Sequence, residues 1–146
     1  MDSTLRRAAV LALCELGRSG DAGDRADAGR GLARFAEMDE AVGSLLELVL
    51  DRANTFVTRA TAEALLRRQD RSGLRVVASA LAIATPSHGD WICTAVLDAF
   101  AVYADERDAA MRICEELAGD PDEHVASGAR LLHGSLAGIT CVLHPA

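Results

Sequence analysis

The stretch that decides the fold is Val57-Thr58-Arg59-Ala60-Thr61-Ala62-Glu63-Ala64-Leu65. Its apolar and small residues fall three and four apart, the spacing of one face of a helix. Thirty-five residues further on, Ile92, Ala95, Ala99 and Phe100 stand where Val57, Ala60, Ala64 and Leu65 stood. After another thirty-three, Val125, Gly128 and Leu132 take the first three of those places, and thirty-one residues upstream of Val57 a weaker copy holds Ala26, Gly29 and Ala33. A period of 31 to 35 residues with small side chains at fixed helical positions is the signature of stacked helix pairs.

Composition agrees. The chain has 146 residues, half of them apolar but only 3% aromatic, with 28 Ala and 19 Leu. Both residues favour helices, and strand formers are scarce, so the expectation is an all-α single domain. Three parts are expected: a capping helix and turn over 1–23, the repeats over 24–137, and an apolar tail over 138–146, which is either a packed stub or disordered.

Eight helices follow from the periodicity and its punctuation. The first spans Ser3 to Leu16, with Leu5, Ala8, Ala9, Ala12, Leu13 and Leu16 as its packing face. The second covers Asp24 to Ala36, with Gly29 and Gly31 inside it, tolerable where two helices approach closely. The third, Asp39 to Leu50, is apolar on most sides and is expected between neighbours. The fourth runs from Thr55 to Arg68, and the fifth from Arg71 with Leu74, Val77, Ala78 and Leu81 inward. Thr85-Pro86-Ser87-His88-Gly89-Asp90 reads as a break, with Asp90 capping a sixth helix over Trp91–Ala104. The seventh is Asp105 to Leu117, and Pro121 opens an eighth that reaches Leu136. Asp24, Asp39, Asp51, Asp70, Asp90, Asp105 and Asp120 mark the turns.

The pattern Val57-x-Arg59-Ala60 with Ala64-Leu65, supported by Leu5-Arg6-Arg7-Ala8 with Ala12-Leu13, resembles the first helix of HEAT-like repeats of the armadillo type, in their short bacterial form. The resemblance covers most of 24–137. It implies a right-handed α-solenoid of stacked antiparallel helix pairs whose second helices line a concave groove. It implies no single activity, since such repeats occur in adaptors, scaffolds, chromophore lyases and DNA-repair glycosylases.

Charge narrows the partners. All fifteen basic residues are arginine and the net charge is −7. Residues 1–75 hold twelve Arg and twelve acids, whereas residues 76–146 hold three Arg and ten acids. The acidic surplus sits in the C-terminal half and argues against nucleic acid and anionic membrane as partners. It favours either simple solvation or a basic protein partner. Cys14, Cys93, Cys114 and Cys141 lack metal or redox spacing, and the first three are expected as small buried hydrophobes. With no signal segment or long apolar run, the expected setting is the cytoplasm.

A search for chemistry finds no phosphate loop, no His-Glu-x-x-His and no nucleophile elbow. His88 reads as an exposed loop residue, His124 and His133 as surface residues, and Trp91 as half-buried packing. His133, Cys141 and His144 are too irregularly spaced for a metal site, and no catalytic residue, metal or cofactor is assigned. The candidate partner-binding residues are those opposite the core stripes: Glu47 on the third helix; Arg71, Arg75 and Ser79 on the fifth; Asp108, Arg112 and Glu116 on the seventh. The acidic residues Asp105 and Glu115, and Trp91, join them. Asp108 and Arg112 are spaced for an i,i+4 ion pair. The leading expectation is a non-catalytic interaction module, an adaptor, scaffold or regulatory subunit. It would bind a basic protein through its groove or acidic half, and an eighth helix without a companion suggests a homodimer through that end. The alternatives are a small-ligand-binding or lyase-type enzyme and, third, a DNA-binding solenoid.

Overall fold

The computed structural model describes residues 2–145. They form eight α-helices: α1 Ser3–Leu16, α2 Ala22–Ala33, α3 Asp39–Val49, α4 Thr55–Leu66, α5 Arg71–Ile83, α6 Pro86–Phe100, α7 Ala104–Leu117 and α8 Glu123–Ala137. The fold is all-α, and the one β-bridge among the described residues is parallel, between Tyr103 and Leu143.

Short polar side chains start most helices by accepting an otherwise unpaired N–H of the first turn. Asp2, Asp21, Asn54, Asp70, Thr85 and Asp122 do so for α1, α2, α4, α5, α6 and α8. Three expected starts shift as a result, and the first of them is α2, which begins at Ala22 under Asp21 and not at Asp24. Helix α6 begins at Pro86 under a Thr85 cap, so Ser87, His88, Gly89 and Asp90 are helical, and Asp90 caps nothing. Pro at the first helical position needs no N–H there, which makes Thr85-Pro86 a start rather than a break. Pro121 lies outside α8, which Asp122 caps through the N–H groups of His124 and Val125.

The repeat positions face the core, Ala64 and Ala99 less completely than the others. Ala26, Gly29 and Ala33, then Val57 and Ala60, then Ile92 and Ala95, then Val125, Gly128 and Leu132 are all buried. Helices α2, α4 and α6 lie side by side through these positions, while α3 packs against α1, α2, α4 and α5. Gly29 shows why a small residue is needed: a β-carbon there would overlap Thr61 Oγ1 and stand 3.0 Å from Thr61 Cβ on α4.

The last repeat departs from that order. Helix α8 makes only slight contact with α6 and lies instead along α5, the most extensive helix contact in the molecule, with α7 beside it. Gly128 holds the same place in its repeat as Gly29, yet it meets α5: a β-carbon would overlap the Ala78 carbonyl and come 3.1 Å from Ala78 Cα. Leu74, Val77 and Ala78 of α5 and Val125, Ala129, Leu132 and Leu136 of α8 are completely buried along this seam. The apolar face of α8 is therefore covered by α5 and α7 of its own chain.

At the other end, α1 packs with a different face from the one expected. Val10 is its single fully buried residue, supported by Leu13 and Cys14, while Leu5 is 59% and Leu16 37% exposed, and Ala8 and Ala12 are exposed too. The tail, described from Gly138 to Pro145 with Ala146 outside the described residues, packs as a stub. Ile139 and Cys141 are buried, Arg107 Nη1 donates to the Ile139 carbonyl at 2.6 Å, and Cys141 Sγ donates to the Phe100 carbonyl at 3.3 Å. No described helix is long and apolar enough to cross a membrane.

Candidate functional site

Arg71 and Arg75 sit one turn apart on α5, so their guanidinium groups reach the same side. The structure brings acids to them from α7 and the turn after it. Arg71 lies 3.5 Å from Glu116 and 3.8 Å from Asp120, and Arg75 lies 3.4 Å from the other Asp120 oxygen. The Asp122 backbone N–H, donating to Asp120 at 2.9 Å, does most to hold that carboxyl below its usual range; burial opposes this, and Arg75 and Arg71 add to it. Ser79 is turned onto its own helix, donating to the Arg75 carbonyl at 3.0 Å. These charges offset one another across α5 and the end of α7.

A second network lies close by. Glu37 pairs with Arg6 and, at 3.0 Å, with Arg68, which also holds Asp70 at 2.7 Å and donates to the Ala33 carbonyl at 2.9 Å. Burial pushes the Glu37 and Asp70 carboxyls up, but it is outweighed, and both end below their usual range. For Glu37 the opposing groups are its own backbone N–H, Arg68 and Arg6; for Asp70 they are Arg68 and the N–H of Gly73. Between the networks, Glu37, Asp39 and Val42 face Arg75, Val76 and Ser79 across a shallow cavity of about 250 Å³.

The other candidates are scattered. Asp108 pairs with its neighbour Arg107 at 2.9 Å and not with Arg112, which is exposed with no carboxylate within 4 Å among the described residues. Glu115 faces His133 at 3.2 Å. Glu47 is exposed on α3, on the rim of a separate cleft with Leu50, Arg52 and Ile83. Trp91 is half-buried on α6. Cys93 is exposed, contrary to expectation, because it follows the buried Ile92 and turns outward.

An open cleft of about 630 Å³ lies between the starts of α4 and α6. His88 stands on its wall as a helix residue and not in a loop. Its Nδ1 is 3.0 Å from Oγ1 of Thr85, the cap of its own helix, and its Nε2 is 2.8 Å from the Asp51 carbonyl, the contact that fastens α6 to the α3–α4 turn. The Asp51 carboxylate is likewise occupied, by Arg25 at 2.9 Å and the N–H groups of Ala53 and Asn54. The polar atoms of His88 and Asp51 are thus hydrogen-bonded within the chain, and among the described residues no three His, Cys, Asp or Glu cluster as a metal site would need.

One surface combines free charge with exposed apolar area. The tail runs beside the α6–α7 connection: Leu143 N–H donates to the Val102 carbonyl at 2.7 Å, Ala104 N–H to the Leu143 carbonyl at 2.9 Å and Val142 N–H to the Ala101 carbonyl at 3.0 Å. This pairing sets Val102, Tyr103, Val142 and Leu143 side by side, each between 44% and 74% exposed. Asp105 and Glu106, in the first turn of α7, adjoin the patch, and neither has a basic side chain within 4 Å among the described residues. Asp105 is among the residues that charge alone singles out. The apolar half is not, because it exists only through a pairing between segments forty residues apart.

No protein-family model and no curated protein matches the chain. Among solved structures, the crystal structure of an engineered protein is similar at 21% identity and a TM-score of 0.37; the match covers 92% of this chain and 65% of that one.

Proposed function

We propose that this chain is a short right-handed HEAT-like α-solenoid acting as a non-catalytic protein-interaction module, an adaptor or regulatory subunit for a basic protein. The 31 to 35 residue period and the side-by-side packing of α2, α4 and α6 support the solenoid reading. The four free cysteines suit a reducing cytoplasm. The observation that carries the function is the patch of Val102, Tyr103, Val142 and Leu143 beside the unpaired Asp105 and Glu106. Apolar side chains supply desolvation energy at an interface, and adjoining unpaired acids choose a basic partner and speed its approach. Arg71, Arg75, Glu116 and Asp120, which neutralise one another, contribute rigidity to this reading and not recognition.

The test is affinity capture from lysate with the intact protein and two variants. Asp105→Asn with Glu106→Gln, Val142→Ser and Leu143→Ser alters the patch; Glu115→Gln with Glu116→Gln leaves it untouched. The expected result is a stoichiometric basic protein, weakened by salt, that is lost only with the patch variant. Retention by the patch variant, or capture of no protein at all, overturns the reading.

A further inference from the structure

The outward face of α1 carries an apolar stripe, edged by Glu15, with no partner among the described residues. Leu5, Ala8, Ala12 and Leu16 lie three and four residues apart on one side of the helix, and all four are exposed. Their order, large-small-small-large, reads the same from either end. A two-fold axis passing between Ala8 and Ala12 would therefore set Ala8 against Ala12 of a second α1 running antiparallel, with Leu5 and Leu16 approaching each other at both ends one residue out of level. Alanine at the centre lets two helix axes approach to about 8 Å, and the leucines fill the widening space on either side. At this register Asp2, which caps its own helix, comes level with Arg18 of the other copy, which also pairs with its own Glu15, and no residue meets one of like charge. Opposed helix dipoles add to the match, the N-terminus of each α1 lying beside the C-terminus of the other.

We propose that a second copy of this chain covers the α1 stripe, forming a two-fold antiparallel α1–α1 dimer. The patch near the tail lies outside this interface and stays open, so self-association and partner binding are separate properties. A helix of 14 residues is about 21 Å long. One such pair buries less than the roughly 1,600 Å² of a standard interface, which makes the dimer weak and dependent on concentration.

Sedimentation velocity over low micromolar to several hundred micromolar protein tests the proposal. The wild type is expected to move from monomer towards dimer. Ala8→Glu and Ala12→Arg, each at an exposed position and each placing a charge on the seam, are expected to weaken association at least tenfold. Combining them in one chain sets opposite charges across the axis and is expected to restore the dimer, which a variant damaged in folding would not do. A wild type that stays monomeric throughout overturns the proposal, as does a dimer indifferent to both single changes or one lost instead through Val142→Ser with Leu143→Ser.

Discussion

Replacing Gly128 with Ala probes the least repeat-like feature of the fold. The added carbon would overlap the carbonyl of Ala78 and lie 3.1 Å from Ala78 Cα. Backbone within a helix cannot turn aside as a side chain can, so α5 and α8 must part by roughly 1 Å, a gap that forfeits a quarter to a half of the dispersion well between facing atoms. The seam holds Leu74, Val77, Val125, Leu132 and Leu136, all fully buried. At about 2 kcal/mol for each such side chain, losing a third of that is a cost of about 3 kcal/mol. Helix propensity returns about 1 kcal/mol of it, because Ala is the better helix former. The net expectation is a loss of about 2–3 kcal/mol, or roughly 5–10 °C in melting temperature for a domain of this size. Gly134, also on α8 but with nothing within 4 Å of a β-carbon, is the control. Gly134→Ala should stabilise by up to about 1 kcal/mol. Thermal and urea unfolding followed by circular dichroism reads both. A Gly128→Ala protein as stable as the Gly134→Ala protein would show that α8 does not rest on α5 in this way.

Acid should weaken the fold through the Arg6–Glu37–Arg68–Asp70 network. Folding depresses both carboxyls, so their contribution is complete above the unfolded carboxylate range near pH 4 and is lost as pH falls through the lower folded values. Urea midpoints at neutral pH and near pH 3 should differ less in Arg68→Met than in the wild type, and an equal difference would refute this role. Among the thiols, exposed Cys93 should react with an aromatic disulfide reagent first and half-buried Cys14 more slowly. Cys141 and Cys114, whose thiol is pushed up to about 12 by burial and then by Glu115, should react only on unfolding; rapid modification of either would contradict their placement.

The repeat was legible because a close helix crossing leaves its mark in small residues: Ala26, Gly29, Ala60, Ala95 and Gly128 all sit at buried positions. What that mark lacks is the identity of the other helix. Gly29 and Gly128 are equivalent in sequence, yet one admits a threonine side chain of α4 and the other a carbonyl of α5. The packing face of α1 was misread for another reason. Ala8 to Leu13 are six consecutive apolar residues, so periodicity gives the helix but does not choose its side. For the candidate site, charge counting locates the acidic half, Asp105 included. It could not separate acids already paired, such as Glu116 and Asp120, from those left free, because pairing depends on distances across helices.

The placement of α8 also bears on how the molecule comes apart. An array whose units touch only their neighbours can lose structure piecemeal, fraying inward from either end. Gly128 and Ala78 are fifty residues apart, and α8 rests on α5 although two helices, α6 and α7, intervene in the sequence. Releasing α8 would therefore uncover a helix from the middle of the chain and not merely its neighbour. The C-terminal half is thereby tied into one cooperative unit with the centre, slow to close because its contacts span a long loop and resistant to fraying once closed.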